Sequence, residues 1–184
     1  QIDSLPQSWA VFSGAGDPAR TRLALTAVDT RLVRRDLKVI QLFDPPFDKS
    51  DLKPGYVKGY LPGVRENGGQ YTHAAIWTAM AFAAAGEVEK AWELFTLINP
   101  VRHGDSAAAI ATYRVEPYVV AADVYVNPQL AGRGGWTWYT GSAGWMYRIA
   151  LGDLLGIQLE AGKLRFAPCV PRAWSRYEVE IRHG

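Results

Sequence analysis

Cysteine is nearly absent. Cys169 stands alone among 184 residues, which excludes an internal disulfide and a cysteine-based zinc site. Histidine is scarce as well, and His73, His103 and His183 are too scattered for a metal-ligand signature. Neither sign of charge prevails. Lys and Arg total 20 against 18 Asp and Glu, a net charge of +2, too small an excess for a broad nucleic-acid or membrane-surface footprint. No apolar run approaches the roughly 20 residues of a membrane-spanning helix. The residues from Gln1 onward lack a basic stretch followed by an apolar one, so no signal peptide is expected there. Both ends read as cuts. Gly184 closely follows Tyr177-Glu178-Val179-Glu180-Ile181, an alternation expected of a strand inside a sheet.

Aromatic residues, by contrast, are plentiful. Several of the seven Trp, nine Tyr and six Phe lie in Gly-rich polar surroundings, where core burial is not their obvious use. Aromatic faces beside polar loops suit a sugar-binding cleft, although ordinary core packing accounts for most of them. The balance of 48% hydrophobic and 21% charged residues is that of a globular chain.

Periodicity predicts mostly helices. Residues 5–36 read as two, the second opening at Asp17-Pro18 with Asp as cap and Pro at the first helical position. Its Arg20, Arg22, Arg31, Arg34 and Arg35 fall largely on the polar side and read as a solvated face, with a phosphate patch as the alternative. Val39–Phe43 is a short extended segment. Residues 44–70 form a long Pro/Gly-punctuated loop, of a kind often functional. Residues 72–85 and 87–98 look like an antiparallel helix pair. Residues 106–126 are helical in part, broken at Pro117, and a last helix spans about 141–154. From Ile157 the period becomes alternating, and 157–160 with 163–166 reads as a hairpin. The expected domains are therefore residues 1–155, helical, and 156–184, the start of a β-sheet domain. The pattern suits part of an all-α toroid, with a helical bundle as the alternative.

Two stretches carry the candidate chemistry. The first is Gly63-Val64-Arg65-Glu66-Asn67-Gly68-Gly69-Gln70-Tyr71-Thr72-His73. Glu66 and Asn67 offer the acceptors and donors a polyhydroxylated ligand needs. With Thr72 as cap, His73 falls in the first turn of a helix, beside unpaired N–H groups and the positive end of the dipole. A structural histidine is the alternative there. The second is Gly132-Arg133-Gly134-Gly135-Trp136-Thr137-Trp138-Tyr139-Thr140-Gly141-Ser142-Ala143-Gly144-Trp145. It lacks the Lys-Ser/Thr ending of a Walker loop and the third Gly of a dinucleotide fingerprint. Its Thr140-Gly141 pair at a helix start can grip a small oxyanion, or serve simply as a cap. No Gly-x-Ser-x-Gly elbow occurs. Asp3, Asp44, Glu66, Asp105, Glu116 and Asp123 are all open as candidate acids.

These two strings, with Ser8-Trp9-Ala10-Val11-Phe12-Ser13-Gly14 upstream and Glu116-Pro117-Tyr118-Val119 between them, resemble glycoside hydrolase family 94, the inverting β-glucoside phosphorylases. The likeness covers nearly the whole chain. It is strongest to the members concerned with β-1,2-glucan in cyclic glucan synthesis, and weaker to the cellobiose and chitobiose phosphorylases. The resemblance implies a mainly α fold: the later part of an (α/α)6 toroid, followed by the first strands of a C-terminal β domain. It also implies an enzyme that transfers glucosyl units by reversible phosphorolysis. Phosphate would attack the anomeric carbon with inversion while one carboxylic acid protonates the leaving oxygen, giving α-glucose 1-phosphate and a shortened glucan. Phosphate would be a co-substrate, with no cofactor and no metal.

Residue by residue, His73, Thr140 and Gly141 match the family's phosphate-binding positions, and Glu66 matches a contact to the sugar near the scissile bond. Asn67, Trp138 and Tyr139 are the further expected substrate contacts. The general acid belongs to an Asp-Trp-Asn motif absent from this sequence, so no catalytic acid is expected in this chain, and the isolated chain should be inactive. Val120, Ala121 and Ala122 stand where some members carry a Gln, which fits a different linkage preference. Implied partners are a β-glucan, phosphate and the rest of a parent polypeptide, one that sits at the cytoplasmic face of the inner membrane. Exposed apolar helix faces would favour self-association. The readings that remain beside it are a disaccharide phosphorylase and a non-catalytic glucan-binding toroid.

Overall fold

A computed structural model describes residues 1–138 and 140–182, the side chain of Thr140 excepted. The chain is mainly helical, as the later part of an (α/α)6 toroid should be, with short strands between helices and a hairpin after them.

Strand β1 (Ile2–Asp3) leads directly into helix α1 (Ser4–Phe12), where Asp3 caps by accepting the Leu5 N–H at 2.8 Å. Helix α2 (Pro18–Arg31) starts as its sequence predicts: Asp17 accepts the Arg20 N–H at 2.9 Å and Pro18 takes the first turn. Its Arg20, Arg22 and Arg31 are solvent-exposed, and the ion-paired arginines lie just past its end. Arg35 bridges Asp29 and Glu93, each at 2.6 Å. Strands β2 (Val33–Arg34) and β3 (Val39–Ile40) pair antiparallel, and β4 (Phe43–Asp44) returns to β1. Residues 45–69 carry only a 3-10 turn at Gly55–Gly59.

Strand β5 (Gln70–Tyr71) opens helix α3 (Thr72–Ala84), the centre of the molecule. Alanines let neighbouring helices approach closely, and Ala74, Ile76, Thr78, Ala79 and Ala81 lose all access to solvent. A helix apolar on nearly every side belongs inside a layered assembly, not at its surface. Around it pack α1, α4 (Val88–Leu97) and α7 (Thr140–Arg148), through a shared core that includes Leu25, Leu94, Met146 and Ile149. Each fully buried Ile or Leu contributes about 1.5–3 kcal/mol of transfer free energy.

Four boundaries differ from the periodic reading. The second helix, expected to reach residue 36, ends at Arg31, and Val33–Arg34 pair with Val39–Ile40 instead. Asn99-Pro100 does not merely end α4. Asn99 caps a further short helix, α5 (Pro100–His103), by accepting the Val101 N–H at 3.0 Å. The next helix, α6 (Ala107–Tyr113), stops at Arg114 in a left-handed conformation, ahead of Pro117. Beyond it the chain is irregular except for β6 (Asp123–Val124). The last helix is α-helical only to Arg148 and continues as a π-helical turn over Ile149–Leu154.

The hairpin forms as expected, from β7 (Ile157–Glu160) and β8 (Lys163–Phe166). The strand expected at Tyr177–Ile181 does not, since residues 167–182 carry no strand. An alternating segment needs a neighbour to satisfy its backbone. On the hairpin, Leu159, Leu164 and Phe166 stay exposed. No helix of the described residues is long and apolar enough to cross a membrane.

Candidate functional site

The three motifs flanking α3 and α7 are knitted together by backbone hydrogen bonds. Strand β5 pairs with β6, setting Tyr71 opposite Asp123 and Gln70 opposite Val124. Val124 in turn bridges to Gly134. The Gly135 N–H donates to the Asp123 carbonyl at 2.8 Å, the Ala122 N–H to the Trp136 carbonyl at 2.7 Å, and the Thr72 N–H to the Ala122 carbonyl at 2.9 Å. Residues 63–73, 116–124 and 132–136 are thus one unit, although the chain between them is long. Gly63 is indispensable to it. Its φ is +80°, and a Cβ there would lie 2.5 Å from the Asn127 amide nitrogen, closer than any side chain can be accommodated.

His73 lies in the first turn of α3, as the sequence predicts, but Thr72 is not the cap. Tyr71 holds that position and its side chain does not cap the helix, while the Thr72 hydroxyl accepts from Gln70 Nε2 at 3.1 Å. Gln70 is itself fixed by accepting the Ile40 N–H. The imidazole sits in an aromatic cage. It stacks on Tyr71 at 5.9 Å and meets Trp77 edge-on at 4.6 Å and Trp145 at 5.7 Å. Its Nε2 is buried with no hydrogen-bond partner. Burial holds the His73 pKa below the ordinary histidine value, so the ring is neutral at neutral pH.

The start of α7 comes to the same place. A Cβ built on Gly141 would stand 3.5 Å from His73 Nδ1 and 3.7 Å from its Cε1. The first turns of two helices therefore meet, and positive ends of helix dipoles with spare N–H groups favour an anion. The side chain of Thr140 and the whole of Tyr139 lie outside the described residues, as does His183.

Glu66 borders an open cleft of about 470 Å³ with Tyr56, Tyr60, Arg65, Tyr71, Asp123 and Trp136. Its Oε2 is buried without a partner. Asn67 behaves otherwise. It is fully buried, and its amide donates to the Phe47 and Tyr60 carbonyls and accepts the Phe47 N–H, at 2.8–3.0 Å. In this geometry Asn67 shapes the loop that carries Glu66 and has no free polar donor to offer a ligand. Trp138 is largely exposed, in a left-handed conformation, and its indole N–H donates to Glu116 at 2.9 Å. That bond clips the second motif to the third.

Asp123 carries no motif signature of its own and is one of the six candidate acids named from the sequence. In the fold it is the most enclosed carboxylate of the cleft. Oδ1 accepts the Trp136 N–H at 2.9 Å, and burial, opposed in part by Arg65, raises its pKa. Arg65 lies over the rings of Tyr60 and Trp136, 5.4 and 5.9 Å from their centroids, an arrangement that holds a guanidinium rigid.

Known proteins are similar to this chain in sequence. Residues 1–156 match the glycosyl hydrolase 94 superfamily, catalytic domain. Cyclic beta-(1,2)-glucan synthase NdvB of Rhizobium meliloti (strain 1021) is 52% identical over 99% of the chain, which spans only 6% of that protein. Solabiose phosphorylase of Paenibacillus borealis is 33% identical over 95% of the chain, and N,N'-diacetylchitobiose phosphorylase of Vibrio furnissii 32% over 92%. The chain spans 22% and 21% of these two. The match over residues 1–156, on a helical fold that gathers the motif residues into one cluster, establishes that the chain belongs to the glycosyl hydrolase 94 superfamily, within its catalytic domain.

Proposed function

We propose that this chain supplies the phosphate-holding side of a phosphorylase site that acts on β-1,2-glucan, within a longer polypeptide engaged in cyclic β-1,2-glucan synthesis. The observation that carries the proposal is the approach of Gly141 to His73, which joins two helix N-termini around one imidazole. A neutral imidazole with a spare ring nitrogen, together with helix-start N–H groups, suits inorganic phosphate held in line with an anomeric carbon. Thr140 is assigned to the same phosphate. Glu66, Trp138 and Tyr139 are assigned to the glucan, and Asn67 acts by holding the Glu66 loop.

In this mechanism phosphate is the nucleophile. One of its oxygens bonds to the anomeric carbon as the glycosidic C–O bond breaks, with inversion, and a carboxylic acid protonates the leaving oxygen. No second carboxylate is needed to activate water. The acid comes from the preceding part of the parent, so the chain by itself is inactive. The small Ala122, which lines the cleft, leaves room that a Gln would fill and favours a linkage other than that of cellobiose. High identity to cyclic beta-(1,2)-glucan synthase NdvB supports the β-1,2 assignment.

The test is release of glucose 1-phosphate from linear β-1,2-glucan by the full-length parent. Release that requires phosphate supports the reading. Equal glucose release without phosphate makes the enzyme a hydrolase, and binding without turnover makes the domain a glucan holder. Turnover of cellobiose or chitobiose in preference to β-1,2-glucan makes it a disaccharide phosphorylase.

A further inference from the structure

Asp123 is the group the phosphate-centred account leaves unused. It is only 4% exposed, yet it lines the cleft, and its Oδ2 has no hydrogen-bond partner. A buried carboxylate oxygen left unsatisfied costs free energy, so such groups mark places where something is missing. The carboxylate lies against the backbone of the third motif, at Gly135. A Cβ on Gly135 would fall only 2.4 Å from Oδ2, so a glycine there is what lets the acid occupy this position.

The surroundings describe the missing partner. Glu66 Oε2, also buried and unpartnered, borders the same cleft. Arg65 interacts electrostatically with both carboxylates and is held over Tyr60 and Trp136. Two carboxylates against one guanidinium make the cleft unfavourable to an anion. Phosphate therefore belongs at His73, and what fits beside it is a neutral ligand rich in O–H groups with a ring face for the aromatic walls. Tyr71 lines the cleft and also stacks on His73, so a ring seated here lies next to the anion pocket. About 470 Å³ falls within the ordinary range for small-molecule sites, roughly 300–1,000 Å³.

We propose that Asp123 is a specificity-determining residue: it accepts a hydroxyl hydrogen bond from a glucosyl unit seated in this cleft, with Glu66 accepting a second. The inference takes its ligand class from the glucan reading above. Asp123→Asn keeps an acceptor for the Trp136 N–H and removes the charge from Oδ2. In the full-length polypeptide, calorimetric titration with a linear β-1,2-glucan oligosaccharide should show affinity weakened about tenfold, while the KM for phosphate stays within about twofold. A change in glucan affinity below about threefold overturns the assignment.

Should the variant fail to fold, hydrogen exchange on the unsubstituted protein decides. Slower exchange at 63–71, 122–124 and 133–138 on adding glucan supports the subsite, and unchanged exchange there overturns it. The two proposals can fail separately. Loss of binding in Asp123→Asn without any phosphate-dependent turnover in the wild type sinks the phosphorylase reading alone. Normal turnover with an indifferent Asp123→Asn sinks the subsite alone.

Discussion

Replacing His103 by phenylalanine should flatten the acid sensitivity of this domain by a calculable amount. His103 is buried, stacks on Tyr113 at 4.8 Å with the rings 23° apart, and leaves Nε2 without a partner. Burial lowers its pKa from 6.5 to about 4, with Lys38 adding to the depression and Asp105 opposing it. Above the unfolded-state value neither state binds the proton, and the stability associated with this site is fully present. As the pH falls below 6.5 the unfolded chain protonates first, and stability is lost until the folded form titrates near 4. Between about pH 7.5 and pH 5 the difference in proton binding amounts to about 2 kcal/mol.

Phenylalanine keeps a flat ring for Tyr113 and carries no proton. Urea denaturation of wild type and His103→Phe at both pH values measures the effect, and the carboxylates that titrate alike in both proteins cancel. Wild type should lose about 2 kcal/mol more than the variant, with the dependence on urea unchanged. Equal losses would refute the reasoning, since they would mean that His103 is not held neutral by the fold.

Other consequences follow from the site. Gly63→Ala forces a Cβ onto the Asn127 backbone at a positive φ. It should cost about 2–4 kcal/mol in denaturant melts, and a cost below about 1 kcal/mol would mean the three motifs are not interlocked there. Gly141→Ala meets His73 only at ordinary contact distance, so the fold should persist while the KM for phosphate rises about tenfold or more. An unchanged phosphate KM would remove Gly141 from the anion site. Trp138→Phe deletes the donor to Glu116 and should leave the melting temperature within a few degrees, about 1 kcal/mol at this exposed position, measurable by calorimetry.

The parts of the fold legible in the sequence are those fixed by local chemistry. Asp17-Pro18 starts α2, alanine-rich periodicity marks α3, and the switch to alternation at Ile157 marks the hairpin. What escaped depends on partners far along the chain. Thr72 looked like a cap, but its hydroxyl is taken by Gln70. Asn67 looked like a ligand group, but its amide is engaged by Phe47 and Tyr60 across the loop. Tyr177–Ile181 alternates like a strand, yet among the described residues no strand pairs with it. Asp123 was hidden for a related reason. A lone acid in Val120-Ala121-Ala122-Asp123-Val124 gains meaning only when Gly135 and Trp136 close over it. An acid flanked by apolar residues on both sides was the available signal. The meeting of His73 with Gly141, by contrast, was anticipated in kind, because both lie at helix starts, where backbone donors are unspent.

The central claim is that these two helix starts hold a single phosphate. The most direct measurement is a crystal structure of the full-length parent with phosphate and a β-1,2-glucan fragment. The account predicts a tetrahedral oxyanion within hydrogen-bonding distance of both the His73 imidazole and the Gly141 N–H, with a glucosyl ring beside it over the Glu66 cleft. An oxyanion bound elsewhere, with the His73 ring packed against its aromatic neighbours and touching no ligand, would contradict it.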